Sequence, residues 1–211
     1  MKGMQRIYDI SPLIVENLSV WPGDTRPRRE ILLDLANGDS VTLSTLHTTV
    51  HLGAHADAPS HYRLSGASIE RRPLEIYLGP CQVMAVNVPR KALIQPAHLP
   101  GPIVAERLLL ATGTFPDPNQ FNDDFAALEP ALVGYLHQRG VRLLGVDTPS
   151  VDPFESKDLP AHQAFFEHDM AILEGLLLTG VPDGVYELIA LPLRLEGFDA
   201  SPVRAILRSL L

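Results

Sequence analysis

Between positions 51 and 61 the chain reads HLGAHADAPSH, which sets His51, His55, Asp57 and His61 at successive intervals of four, two and four. Of the eight histidines, half fall between positions 47 and 61. Imidazole nitrogens are borderline-soft donors and a carboxylate adds charge, so a cluster of this kind suits a divalent transition ion. Taken singly, each histidine is more ordinary as a hydrogen-bonded residue near a strand end, and the Asp as a turn former. Taken together, the four favour a metal site. His47 lies outside the loop pattern and reads as a satisfied core histidine or one that supports a ligand; His98 and His137 read as surface residues on helical segments.

The elements carrying this cluster are constrained by reach. On a continuous strand His51 and His55 would stand about 13 Å apart at roughly 3.3 Å per residue, too far to share one ion. A continuous helix would stack them, but Gly53 and Pro59 argue against it. The chain must fold back between them, with Gly53 permitting the turn and Ala54 and Ala56 allowing close approach. A strand followed by a ligand-bearing loop is therefore expected. Upstream, 28–50 reads as two strands around the turn-forming pair Asn37-Gly38, with Val41, Leu43, Thr45, His47, Thr49 and His51 sharing a face of the second. Further strands are predicted at 81–88, 107–112, 141–146 and 185–191, and helices over 130–139 and from near Pro160. Strands alternating with helices after an initial hairpin predict an α/β fold: one domain, residues 1–211, with a mixed sheet flanked by helices.

The spacing H-x-G-x-H-x-D-x-P-x-H, filled here by His51, Gly53, His55, Asp57, Pro59 and His61, resembles the signature of the metal-dependent cyclase/hydrolase family. The form H-x-G-A-H-A-D-A-P is similar to the branch of that family formed by the bacterial kynurenine formamidases. The likeness extends to 19–24 (SVWPGD), 146–153 (VDTPSVDP), 159–162 (LPAH), 174–176 (EGL), 186–192 (YELIALP) and 201–204 (SPVR). Leu52 departs from the Thr frequent in formamidases, at a position that donates nothing to a metal. The resemblance implies a swivelling β/β/α-like fold, a homodimer, and two zinc ions per subunit, with other divalent metals open. It also implies the rest of the site: His162 and Glu174 complete the ligand set of His51, His55 and Asp57, His61 is the catalytic histidine, and Trp21 contacts substrate. Without it, His162 would pass for a partly buried helical histidine, Glu174 for a solvated glutamate, and Trp21 for a partly buried core residue. Asp147, Asp152 and Asp158 read as turn and capping residues.

The implied reaction is hydrolysis of N-formyl-L-kynurenine to L-kynurenine and formate in tryptophan degradation. Asp57 would bridge the ions, His51 and His55 would hold one, His162 and Glu174 the other, and His61 would carry a proton to the departing aniline nitrogen. Two other readings stand beside it: a relative acting on another amide or lactam such as isatin, and a non-catalytic zinc-binding protein. The chain has no G-x-S-x-G elbow, H-E-x-x-H, P-loop or G-x-G-x-x-G. With 25 acidic against 17 basic residues and a formal charge of -8, it is a poor partner for nucleic acid. Cys81 is the only cysteine and reads as a buried strand thiol. No stretch matches a signal peptide or a membrane span, so no membrane partner and a cytoplasmic location are expected.

Overall fold

The computed structural model describes residues 5–210, so Met1–Met4 and Leu211, which fall within the N-terminal stretch and the domain range read above, lie outside the described residues. In chain order, β1 is Ile7–Asp9, β2 Arg28–Leu33, β3 Leu43–His47, β4 His55–Asp57, β5 Leu78–Ala85, β6 Leu93–Ile94, β7 Arg107–Ala111 and β8 Ala127–Leu128. Helix α1 (Pro130–His137) follows, then β9 (Leu143–Val146), α2 (Pro160–Glu167), β10 (Ala171–Glu174), β11 (Gly184–Ile189), β12 (Ala200–Pro202) and β13 (Ile206–Ser209). Among the described residues nine strands form one sheet in the order β1-β13-β11-β5-β7-β9-β10-β4-β12. It is mixed: β5, β7, β9 and β10 run parallel, and the flanking pairs are antiparallel. This is the single-domain α/β architecture expected.

The central strands are largely apolar because both faces are covered. Side chains alternate between the two faces, so Leu108, Leu110, Leu144 and Ile172 join one core, and Leu109, Leu143 and Leu173 the other. The first core packs beneath both helices through Leu132, Leu136 and Phe165. The second is enclosed by the curl of the sheet and by short 3-10 turns that bring in Ile69, Ile76 and Tyr77. Each fully buried Leu contributes roughly 1.5–3 kcal/mol to this packing. Cys81 is buried in the second core. Among the described residues no helix is long and apolar enough to cross a membrane.

Several local expectations are corrected. The strands β2 and β3 pair antiparallel, but across a connection containing a 3-10 turn at Leu35–Asn37, which Asp34 caps and Gly38 closes, rather than a tight two-residue turn. β3 ends at His47, so Thr49 and His51 do not extend its face. His47 is not a core histidine and is not bonded to a ligand of the motif; it is exposed and paired to Glu30 at 2.6 Å. The motif runs in the reverse sense to that predicted: His51 sits in the turn, and the chain then enters the buried strand β4 at His55. Short strands such as β4, β10 and β12 carry too few residues to show a period in sequence.

Candidate metal centre

Three elements converge on the motif. Gly53 has φ +54, which reverses the chain after His51, and a Cβ there would press within 2.9 Å of Pro12. Once in β4, His55 and Asp57 fall on one side and Ala56 on the other, where it packs in the core. β4 lies between β10 and β12, and its antiparallel register with β10 sets Glu174 directly beside His55. The next residue, Gly175, must be glycine because a Cβ would lie 2.2 Å from the Gly53 carbonyl oxygen. His162 comes from the first turn of α2, whose N-terminus is capped by Asp152: the amides of Ala161 and His162 donate to its carboxylate at 2.9 and 3.0 Å.

The side chains meet around Asp57, which is 2% exposed. Its Oδ1 lies 3.1 Å from His51 Nδ1 and 3.5 Å from His55 Nε2, and its Oδ2 lies 3.4 Å from His162 Nε2. Glu174 repeats the division, with Oε2 3.3 Å from His55 Nε2 and Oε1 3.7 Å from His162 Nε2. Ligand atoms of His55, Asp57 and Glu174 lie within 4.8 Å of one another, as do those of His51, Asp57 and His61. All five residues named as ligands from the sequence, together with His61, are thus brought together. Asp57 faces His51 and His55 with one oxygen and His162 with the other, while Glu174 reaches both His55 and His162.

Both Asp57 oxygens and His55 Nε2 are buried without a hydrogen-bond partner, despite these short approaches. An unpaired buried carboxylate carries a large desolvation cost that an opposing cation removes. The far side of each ring is already engaged: His55 Nδ1 donates to the Gly53 carbonyl at 2.8 Å, His162 Nδ1 to Asp152 at 2.6 Å and His51 Nε2 to Asp199 at 3.0 Å. That leaves one nitrogen of each ring facing inward, the arrangement that supports histidines bound to metal. A mixed N/O donor set fits zinc or a related divalent ion, and the residues that could hold it are His51, His55, Asp57, His162 and Glu174.

Without an ion, His51 and His162 hold protons instead. Burial disfavours a charged His51 ring, but the Asp57 carboxylate beside it, with Asp199 and Glu174, pushes its pKa up to about 9. His162 is likewise opposed by burial yet pushed up to about 10, chiefly by Asp152 and Asp57. Burial would raise Asp57, but the close approach of His162 and His51 holds it well below the usual carboxylate range. Asp199 is held low in the same way, His51 outweighing its partial burial.

Above the centre opens a cleft of about 370 Å³, lined by His51, His55, His61, His162 and Glu174 at its base and by Trp21, Phe115 and Phe121 on its wall. Trp21 is held by a turn in which the Asp24 amide donates to its carbonyl, with Pro22 and the positive-φ Gly23 at the corners. It is 37% exposed and packs edge-on to Phe121 at 5.7 Å and tilted on Phe154 at 5.0 Å. It is therefore both a cleft wall and part of an aromatic cluster. Asp147 is a turn residue, as read, accepting from Thr112 and Gly113; its burial raises its pKa. His98 and His137 are exposed, also as read.

Glu174 is buried, not solvated. Asp152 does more than cap, since the same carboxylate orients His162. Asp199 was missed altogether, as were Phe115 and Phe121. The one signal for Asp199 was its position two residues ahead of the SPVR segment.

With the fold and this centre in view, the chain belongs to the Cyclase family, whose model matches residues 8–153, more than half of its length. A solved structure of a potential metal-dependent hydrolase with cyclase activity is 28% identical, with a TM-score of 0.84 over 98% of this chain and 99% of that one. A predicted metal-dependent hydrolase from Bacillus stearothermophilus is 29% identical, with a TM-score of 0.81 and the same coverage of both chains. Isatin hydrolase A from Labrenzia aggregata, bound to benzyl benzoate, shares the fold at 22% identity and a TM-score of 0.81, over 97% of this chain and 93% of that one.

Proposed function

We propose that this protein is a metal-dependent hydrolase that cleaves N-formyl-L-kynurenine to L-kynurenine and formate, using two zinc ions held by His51, His55, Asp57, His162 and Glu174. The observation carrying this reading is the buried, unpartnered Asp57 carboxylate, ringed by inward-facing histidine nitrogens at the base of an aromatic-walled cleft. When bound, such ions polarise a carbonyl oxygen and bring the pKa of water to about 7.

The chain's own residues supply the rest. The aryl ring of the substrate would lie against Trp21, with Phe121 and Phe115 beside it, and this directs the small formyl group down to the histidines. His61 lines the same cleft with its side chain 34% exposed, so it is open to water and substrate together. It takes a proton from the attacking water as the new C–O bond forms. It then delivers that proton to the aniline nitrogen as the C–N bond breaks, releasing formate and the arylamine. An arylamine leaves far more readily than an alkylamine, so a single proton carrier suffices. We further propose a homodimer in the cytoplasm, on the family resemblance.

The test is formate release from N-formyl-L-kynurenine, with metal content measured on the same sample. Hydrolysis of isatin faster than of the formamide would move the assignment to a lactam hydrolase. Bound zinc without turnover of either compound would leave a non-catalytic zinc-binding protein.

A further inference from the structure

The His51 and His61 rings sit 4.3 Å apart, centroid to centroid, and converge on one oxygen of a carboxylate that the sequence motif does not contain. Asp199 Oδ2 lies 3.0 Å from His51 Nε2 and 3.3 Å from His61 Nδ1. The carboxylate is delivered by the sheet itself. The Asp199 carbonyl accepts from the Ala58 amide at 2.8 Å, and the next residue, Ala200, pairs with Asp57 where β12 lies against β4. On the other side the Phe198 carbonyl accepts from the Ile69 amide at 2.9 Å. The strand that presents Asp57 inward therefore also fixes Asp199 behind the two rings.

We infer that Asp199 is a positioning residue that sets opposite ring tautomers in His51 and His61 through a single shared oxygen. Neutral imidazole has one N–H and one bare nitrogen, and the hydrogen bond made by one decides the role of the other. His51 donates through Nε2, which leaves Nδ1 bare beside Asp57, where an ion would bind. His61 donates through Nδ1, which leaves Nε2 bare as the proton-accepting atom of the cleft. One carboxylate thus divides the pair into a ligand and a base. This rests on the proposed roles of those two histidines, but its test does not depend on the substrate.

The test uses zinc-loaded protein labelled with 15N in histidine, its ring tautomers read from long-range proton–nitrogen spectra. The unmodified protein should show His51 with a proton on Nε2 and His61 with a proton on Nδ1; the reverse tautomer at either ring overturns the inference, whatever the variants do. In Asp199→Ala the His61 ring should lose its Nδ1–H preference, and zinc affinity, measured by competition with a chromophoric chelator, should fall about 10–100-fold. Asp199→Asn, close to isosteric, keeps an acceptor oxygen and should retain both tautomers and most of the zinc affinity. Unchanged tautomers and affinity in Asp199→Ala, or scrambled tautomers in a folded Asp199→Asn, overturn it. Failure to bind zinc at all sinks this inference and the proposed centre together; normal tautomers without formamide turnover sink only the substrate assignment.

Discussion

The centre divides into a sealed half and an open half. His55, Asp57, His162 and Glu174 come from β4, α2 and β10 and are buried, whereas His51, His61, Asp199 and Trp21 come from turns and loops that solvent reaches. Regular elements hold atoms to within tenths of an ångström against a close-packed interior, which an ion with strict ligand distances needs. Loops give access, which substrate and protons need. Most of the metal-holding groups lie in the sealed half, with His51, backed by Asp199, reaching in from the open one. On this reading, damage to the sealed half should remove the metal, and damage to His61 or Trp21 at the open face should spare it.

The largest effect should come from Asp57, whose two oxygens face different histidines. Asp57→Asn replaces an anion by a neutral amide, so metal analysis should find both positions depleted and formate release reduced at least about a thousandfold. Full occupancy in this variant would break the comparison at its centre. His61→Ala should lose at least about a hundredfold in turnover while keeping its metal. If metal and activity fell in step, His61 would belong with the ligands, as its grouping with His51 and Asp57 allows.

A third outcome separates metal from protons at the same atoms. Because the folded-state pKa values of His51 and His162 are raised to about 9 and about 10, the metal-free protein holds their protons more tightly than the unfolded chain does. That stabilisation is complete below pH 6.5 and is lost as pH rises through 9 to 10, so the melting temperature of chelator-treated protein should fall across this window. Each kcal/mol lost should appear as about 2–4 °C at this chain length. Protein loaded with zinc should behave oppositely, gaining stability over the metal-free form as pH rises, since protons then no longer compete for the ligand nitrogens. Parallel curves with and without zinc in differential scanning fluorimetry would refute metal binding at these histidines.

The smallest effect is expected at the rim. Trp21→Ala should raise KM for N-formyl-L-kynurenine about two- to tenfold, equivalent to the roughly 0.5–1.5 kcal/mol of an aromatic contact, with kcat less affected and metal content intact. Formanilide, which keeps the ring and the formyl amide, should show the same penalty. Unchanged kinetics for both compounds, with only a lower melting temperature, would make Trp21 a structural member of the cluster with Phe121 and Phe154.

Residue type and spacing alone identified the cluster at 51–61, because histidines and a carboxylate in such density have few other uses, and the need for a turn at Gly53 followed from strand reach alone. Three of the four parallel core strands, β5, β7 and β9, were legible too, since burial on both faces leaves a largely apolar run. The family likeness, and not periodicity, supplied His162 and Glu174. What only the tertiary structure decided is the company these residues keep. β4, β10 and β12 are three or four residues long, too short to show a pattern, yet their register sets Glu174 against His55 and Asp199 behind His51 and His61. Asp57 and Asp199 are 142 positions apart in sequence, and the chain between them says nothing of their meeting. Strand pairing is a long-range contact, and no local propensity encodes which distant carboxylate will stand behind which ring.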